Sequence, residues 1–369
     1  MDRANVLILL ACLLCGVALA QDECYSVDTS NVSDDPKLAL DVCEINDLLG
    51  LDPPDYEMAR EIYKTGNNAK GTTLFDVATA EYPTELYQKY AVFFGDQQWM
   101  HTKIDQALDG EGKFSSDIKR VQAVKKLLQA SVLVQRFFYH IDSAVAKTEA
   151  NNPDGALNSL DRAMAVFYGG DISCSPFGNG QARGIEFGTI SEGVSKANKE
   201  VHAAIKAGAE ALMAMIEDST ADAKDAVKTA RDNMLKQVTV IYVQACFKYA
   251  TLIDTGLEDG VDAAVVEKSQ AEGYAYYQAI YPLIADADPA GAEDILKAFN
   301  IGAAPDEEAA EQVKAILRSN YAKLSIDEDD VKDFDPEAVT NYEDPPETSC
   351  ELENPFSSDD SGKPNDVDG

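Results

Sequence analysis

Within the stretch from Ile118 to Val145, the apolar residues Leu127, Val134, Phe137, Ile141 and Val145 recur at helical three- and four-residue steps. That spacing predicts a long amphipathic helix with one buried face. The same period runs through "YPTELYQKYAVFFGDQQWMHTKIDQAL" (82–108), "SEGVSKANKEVHAAIKAGAEALMAMI" (191–216), "DAKDAVKTARDNMLKQVTVIYVQACFKYATLI" (222–253) and "PDEEAAEQVKAILRSNYAKL" (305–324). Breaks fall at "NNPDG" (151–155) and "ADADPAG" (285–291), and no stretch keeps the two-residue alternation of a strand. Between about residues 36 and 320 the expected fold is all-α.

One segment is written twice. "VQRFFYH" (134–140) returns as "VQACFKY" (243–249), and a shift of 109 residues aligns Phe138 with Phe247, Glu149 with Glu258 and Tyr168 with Tyr277 without a gap. The reading is a helical bundle built from two degenerate repeats, 83–219 and 221–320. A segment with short helices precedes them (21–82), and an acidic disordered tail follows (326–369). The register puts His140 where the second copy puts Tyr249.

The chain has 369 residues and a formal charge of −34. Such a field repels phosphate backbones and attracts cations, which excludes nucleic acid as a partner. From Asp327 onward, sixteen acidic residues face only Lys332 and Lys363, as expected of a solvated tail. "DEDDVKDFD" (327–335) lacks the central Gly and closing Glu of an EF-hand.

The first residues, "MDRANVLILLACLLCGVALAQDEC", read as a secretory signal peptide (1–20) with mature Gln21. No other run of roughly twenty apolar residues could anchor the chain in a bilayer, so no direct membrane insertion is expected. Asn31-Val32-Ser33 is then a glycosylation sequon. The mature chain keeps Cys24, Cys43, Cys174, Cys246 and Cys350. Cys246, inside an apolar helix, reads as a buried thiol. The other four allow three pairings, of which Cys24–Cys43 with Cys174–Cys350 is preferred. Zinc lacks any CxxC or HxxxH spacing.

"MAREIYKTGNNAKGTTLFDVA" (58–78), the "VQRFFYH" helix, "ALNSLDRAMAVFYGG" (156–170) and the "CSPF…RGIEFGT" segment (174–189) resemble the algal iron-assimilating periplasmic proteins, also described as high-carbon-dioxide-inducible periplasmic proteins. The resemblance implies secretion to the periplasm or cell surface, and capture of iron under iron limitation. The partners it implies are the metal cation and a membrane iron transporter, reductase or oxidase. It brings no ligand set, so ligands are sought among this chain's own residues.

Ferric iron, preferred here to ferrous, takes carboxylate and phenolate oxygen and tolerates imidazole. His101 and Asp105 stand four apart on one helix, a two-ligand clip or an ordinary helix contact. Tyr139 and His140 flank an apolar stripe, and Tyr249 stands at the position of His140 in the second copy. Tyr168 and Tyr277 coincide between copies; aromatic packing competes with ligation at each. Glu186 follows the Gly-rich "GNGQARG" (178–184), where Arg183 offers a place for a synergistic anion and a plain surface loop is the competing reading. Glu308 and Glu311 form an ExxE at an acidic helix start, and His202 sits among Ala and Lys. No GxSxG, HExxH, Walker or dinucleotide signature appears, and the ExxH pairs of a di-iron bundle are missing. The expectation is a binding protein, not an enzyme. A secreted acidic structural or cell-surface interaction protein without a specific metal site is the alternative.

Overall fold

The computed structural model describes Val32 and residues 34–337, apart from Ser219. Helices α1 (Lys37–Leu48), α2 (Tyr56–Thr65), α3 (Leu74–Thr79), α4 (Glu85–Phe94) and α5 (Trp99–Asp109) come first. Helix α6 (Asp117–Leu127) passes through a π-helical turn (Leu128–Val132) into α7 (Leu133–Glu149), and α8 (Pro153–Tyr168) folds back on α7. A 3-10 turn (Ile172–Cys174) leads to α9 (Pro176–Glu186), the strands β1 (Ile190–Ser191) and β2 (Val194–Ser195), α10 (Lys196–Glu217), α11 (Lys224–Glu258) and α12 (Ala263–Tyr277). Helices α13 (Tyr281–Ala287), α14 (Pro289–Ala298), α15 (Ala309–Ser319) and α16 (Glu328–Val331) follow. The fold is all-α; its antiparallel hairpin sets Ile190 opposite Ser195 and Ser191 opposite Val194.

Local chemistry explains where the helices start and stop. Thr73 and Asp76 form a capping box, Ser116 accepts from the Lys119 amide, and Asn152 caps α8 with Pro153 in its first turn. Gly95, in the left-handed region, ends α4 and so splits the periodic stretch 82–108 into two helices. The π turn likewise interrupts the helix expected over 118–145, yet Leu127, Val134, Phe137 and Ile141 are all fully buried. Truncating Phe137 to Ala would cost about 3–5 kcal/mol.

The α7–α8 and α11–α12 hairpins end 109 residues apart, at Glu149 and Glu258 and again at Tyr168 and Tyr277. Helix α10 packs on both α8 and α11, and α6 packs on α12. Helix α9 lies across the middle, against α8, α10, α11 and the hairpin.

Two expectations are corrected. The disulfide joins Cys43 to Cys174 with Cα atoms 5.5 Å apart, because α1 packs on the 3-10 turn that leads into α9. Both preferred pairings are thereby excluded, while Cys246 is a buried free thiol. Cys24, Cys350, the leader and the sequon asparagine lie outside the described residues. Residues 326–337, assigned by composition to the tail, pack on the body: Asp330 pairs with Lys196 and Lys236, the Gln244 amide donates to the Val331 carbonyl, and Phe334 meets Phe187. The remainder of the tail lies outside the described residues.

Candidate functional site

The "GNGQARG" segment is not a surface loop but the body of α9, buried on most sides. Its glycines are contact points. A Cβ on Gly180 would stand 2.1 Å from Asn198 Oδ1, and one on Gly184 would stand 2.3 Å from Ser195 Cβ. Their four-residue spacing gives α9 a side without side chains, so that it can lie close against α10 and β2. The next turn then carries Arg183 and Glu186 into the interior.

Around them, side chains from four helices converge. Arg183 Nε stands 2.6 Å from Glu186 Oε2, and Lys248 of α11 pairs with Glu186 Oε1. Tyr249 stacks on Tyr276 with centroids 5.5 Å apart, and the Arg183 guanidinium lies 5.8 Å and 6.0 Å from their two ring centres. Tyr276 donates to Asn179 Oδ1, and the Asn179 amide donates to the Tyr242 hydroxyl at 3.4 Å. On the outer side, Lys126 of α6 lies 3.7 Å from Glu272 and 5.8 Å from the Tyr276 ring centre. Tyr276 and Glu272 hold Lys126 above the ordinary lysine value. Burial, reinforced by Arg183, holds Lys248 below it. Burial raises the Tyr249 phenol well above its usual value; Tyr276 adds to this and Arg183 opposes it. The polar demand is incompletely met: Arg183 Nε and Nη1 and Glu186 Oε2 are buried without a hydrogen bond of good geometry.

A second buried cluster surrounds His140. Asp35, fully buried, receives Arg136 Nε at 2.9 Å and Arg162 Nε at 2.6 Å, and His140 Nε2 lies 3.5 Å away. Burial alone would push the Asp35 carboxyl up, but His140, Arg136 and Arg162 outweigh it and hold the group well below the usual carboxylate range. Burial lowers His140 from 6.5 to about 4, so at neutral pH it is an uncharged imidazole. Beside it Tyr139 stacks on Tyr82 at 4.2 Å.

Of the residues singled out in the sequence, Glu186 and Tyr249 meet in the first cluster, and Tyr139 and His140 in the second. The remaining four are spent elsewhere. Asp105 pairs with Arg60, and His101 Nδ1 bonds the Tyr63 hydroxyl at 3.2 Å, so the two do not form a clip. Tyr168 bonds His202 Nδ1 at 2.9 Å and stacks on Phe177, and burial raises its phenol. The Tyr277 hydroxyl donates to the Ala292 carbonyl at 2.9 Å. Tyr276, Glu272, Lys248 and Lys126 were not singled out. The available signal was Glu272 four residues before Tyr276, which puts both on one helix face. The repeat register pointed instead to Tyr277, which faces α14.

Among the described residues, no three or more His, Cys, Asp and Glu side chains gather as they would to hold a metal ion. The donor set that does gather is mixed: two carboxylates and two phenols, with three cations among them. No helix among the described residues is long and apolar enough to cross a membrane. A family model described as low iron-inducible periplasmic protein matches residues 14–271. No curated protein and no solved structure matches the chain.

Proposed function

This chain belongs to the low iron-inducible periplasmic protein family and is periplasmic; from that premise we propose that it is a non-catalytic binding protein that takes ferric iron as cargo at the cluster of Tyr249, Tyr276, Glu186 and Glu272, and passes it to a membrane transporter, reductase or oxidase. The observation that carries this reading is the stacking of two phenols beside a carboxylate whose Oε2 meets Arg183 Nε without a hydrogen bond of good geometry. Phenolate and carboxylate oxygens are the donors that ferric iron prefers. The raised Tyr249 phenol means that iron must displace its proton, so uptake releases protons and acid reverses it. Lys126 and Lys248 are partly exposed and mark the side from which an ion would enter.

Titration of the metal-free protein with ferrous chloride oxidised in air tests this. One equivalent should produce a visible tyrosinate-to-iron band. Tyr249→Phe with Tyr276→Phe should remove it, while Tyr168→Phe should not. A band that survives the double substitution overturns the site; the absence of any band in the unaltered protein overturns the reading.

A further inference from the structure

Tyr274 is two residues from Tyr276, about 200° round α12, so it faces away from the Tyr249 cluster. On that other side stand two half-buried lysines, Lys103 of α5 and Lys113 of the α5–α6 loop. Neither makes a salt bridge or a hydrogen bond among the described residues. Each ammonium rests on aromatic rings instead. Lys103 Nζ lies 4.4 Å from the Phe94 ring centre, and Lys113 Nζ lies 4.0 Å from that of Tyr274 and 5.8 Å from that of Phe114. A ring face is a weak substitute for a carboxylate. Burial lowers both lysines from 10.5 to about 8; the charge of Lys113 adds to the drop in Lys103, and Asp96 opposes it. The Asp96 carboxylate is itself spent on the Thr102 hydroxyl and the Gln98 amide. At neutral pH both lysines are therefore charged and without a counter-ion of their own.

The same corner holds two orphaned donors. The Tyr274 hydroxyl belongs to the ring that Lys113 covers. Trp99 stands one turn before Lys103 on α5, its ring centre 4.6 Å from that of Phe94. Both residues are 1% exposed, and neither the Tyr274 hydroxyl nor Trp99 Nε1 has a hydrogen-bond partner. Buried donors are nearly always satisfied. Indole N–H and ammonium groups can only donate, so the group this corner calls for is an acceptor carrying negative charge. The rings of Phe94, Phe114 and Tyr274 favour contact with carbon over a hydrated inorganic ion, and two uncompensated ammonium groups match a dianion.

We propose that Lys103, Lys113, Trp99 and Tyr274 form a binding site for a small organic dicarboxylate, with its carboxylates on the two ammonium groups and its carbon skeleton against the aromatic rings. The site stands independently of the iron reading, since it shares no residue with the Tyr249 cluster. Because both lysines lose their protons around pH 8, binding is strongest near neutral pH and fades as the solution becomes alkaline.

Trp99 is the chain's single tryptophan, so intrinsic fluorescence reports on this corner alone. The test titrates the full chain, metal-free, with succinate, citrate and inorganic phosphate in turn, at constant ionic strength set with chloride. The expected result at pH 7 is a saturable change in Trp99 emission with succinate or citrate, lost at pH 9.5. Lys103→Gln and Lys113→Gln should each weaken binding about tenfold, while Lys206→Gln, an exposed lysine on α10, should not. Tyr274→Phe gives up no hydrogen bond of the fold, so a weakening of about threefold at unchanged melting temperature marks a ligand contact and not a structural role. Should one lysine variant fail to fold, the other and Tyr274→Phe carry the test. No saturable change, a response to phosphate alone, or affinity unchanged in the lysine variants overturns the proposal. Tyr249→Phe with Tyr276→Phe should leave succinate and citrate binding intact whatever becomes of the iron band. Loss of binding in that variant would place the carboxylate in the other cluster and overturn the proposal.

Discussion

His140 and Tyr249 occupy the same step of two helical hairpins, 109 residues apart, and each faces a buried ion network, yet the two networks are finished differently. Around His140, both oxygens of Asp35 are taken by arginines, and the surplus charge reaches water through Arg162, whose side chain is 35% exposed. Around Tyr249, a third cation is packed in and Arg183 keeps donors unmatched. In the first network every charge is paired, although the neutral His140 Nε2 makes no hydrogen bond of good geometry, and the pairs hold the segment before α1 onto α7 and α8. The second has spare capacity, and spare capacity in a desolvated place is what a ligand can repay. Charge alone does not separate them, since each carries one excess cation; the unmatched group does, a neutral imidazole nitrogen in the first and charged guanidinium and carboxylate atoms in the second.

The Cys43–Cys174 bridge links the two regions, tying the helix that follows Asp35 to the turn that precedes α9. Breaking it is the largest expected perturbation. Cys43→Ala should lower the unfolding free energy by about 5 kcal/mol, from loop closure across 131 residues. Denaturant midpoints read this directly, and a loss below about 1 kcal/mol would mean that the networks hold the segment without the bridge. Next comes the first network. Arg136→Ala leaves Asp35 buried with one partner and should cost about 3–5 kcal/mol. Arg183→Gln should cost only about 1–3 kcal/mol, because Lys248 still holds Glu186. Equal losses would erase the distinction between the two clusters.

Protonation sharpens the same contrast. His140 is lowered from 6.5 to about 4, so between those values the unfolded chain binds a proton that the folded one refuses. Its contribution is therefore complete above about pH 6.5 and is lost as pH falls towards 4, on the order of 3 kcal/mol in all. Asp161, raised to about 6 by burial, slopes the other way, so the difference between the wild type and His140→Gln isolates the imidazole. Urea midpoints at pH 4.5 and 7.5 should converge in His140→Gln relative to wild type; an unchanged gap would show that His140 is not the titrating group. The smallest effect is expected from the second register pair. Tyr168→Phe removes the hydrogen bond to His202 and should cost about 1 kcal/mol, with the iron band intact.

Much of the fold was legible because helix period, caps and breaks are local. Proline and glycine at 153 and 95 put boundaries where the backbone requires them. The site was legible only in part. Glu186 and Tyr249 could be named as oxygen donors and Arg183 as an anion partner, but "GNGQARG" reads as a loop when its glycines are taken as flexibility. In the fold they are clearance: the 180/184 spacing lets α9 be buried and turns Glu186 inward. Tyr276 was passed over because sequence register favoured its neighbour, and a one-residue difference on a helix is a 100° difference in direction. The disulfide depends on α1 packing against a turn 131 residues away, which no spacing of cysteines encodes.

The π turn at Leu128–Val132 has a meaning in the language of insertions. A π turn holds one residue more than the α-helix would, so the helix beyond it is rotated by about a third of a turn while its axis continues. One continuous rod can thereby show α12 one face through α6 and α8 another through α7, with Leu127 to Phe138 buried all round at the crossover. Deleting a single residue there would leave a more regular helix and a misdirected protein: Arg136 and His140 would swing away from Asp35 while α6 stayed in place. At that step the chain tolerates exchange of one side chain for another far better than a change in their number.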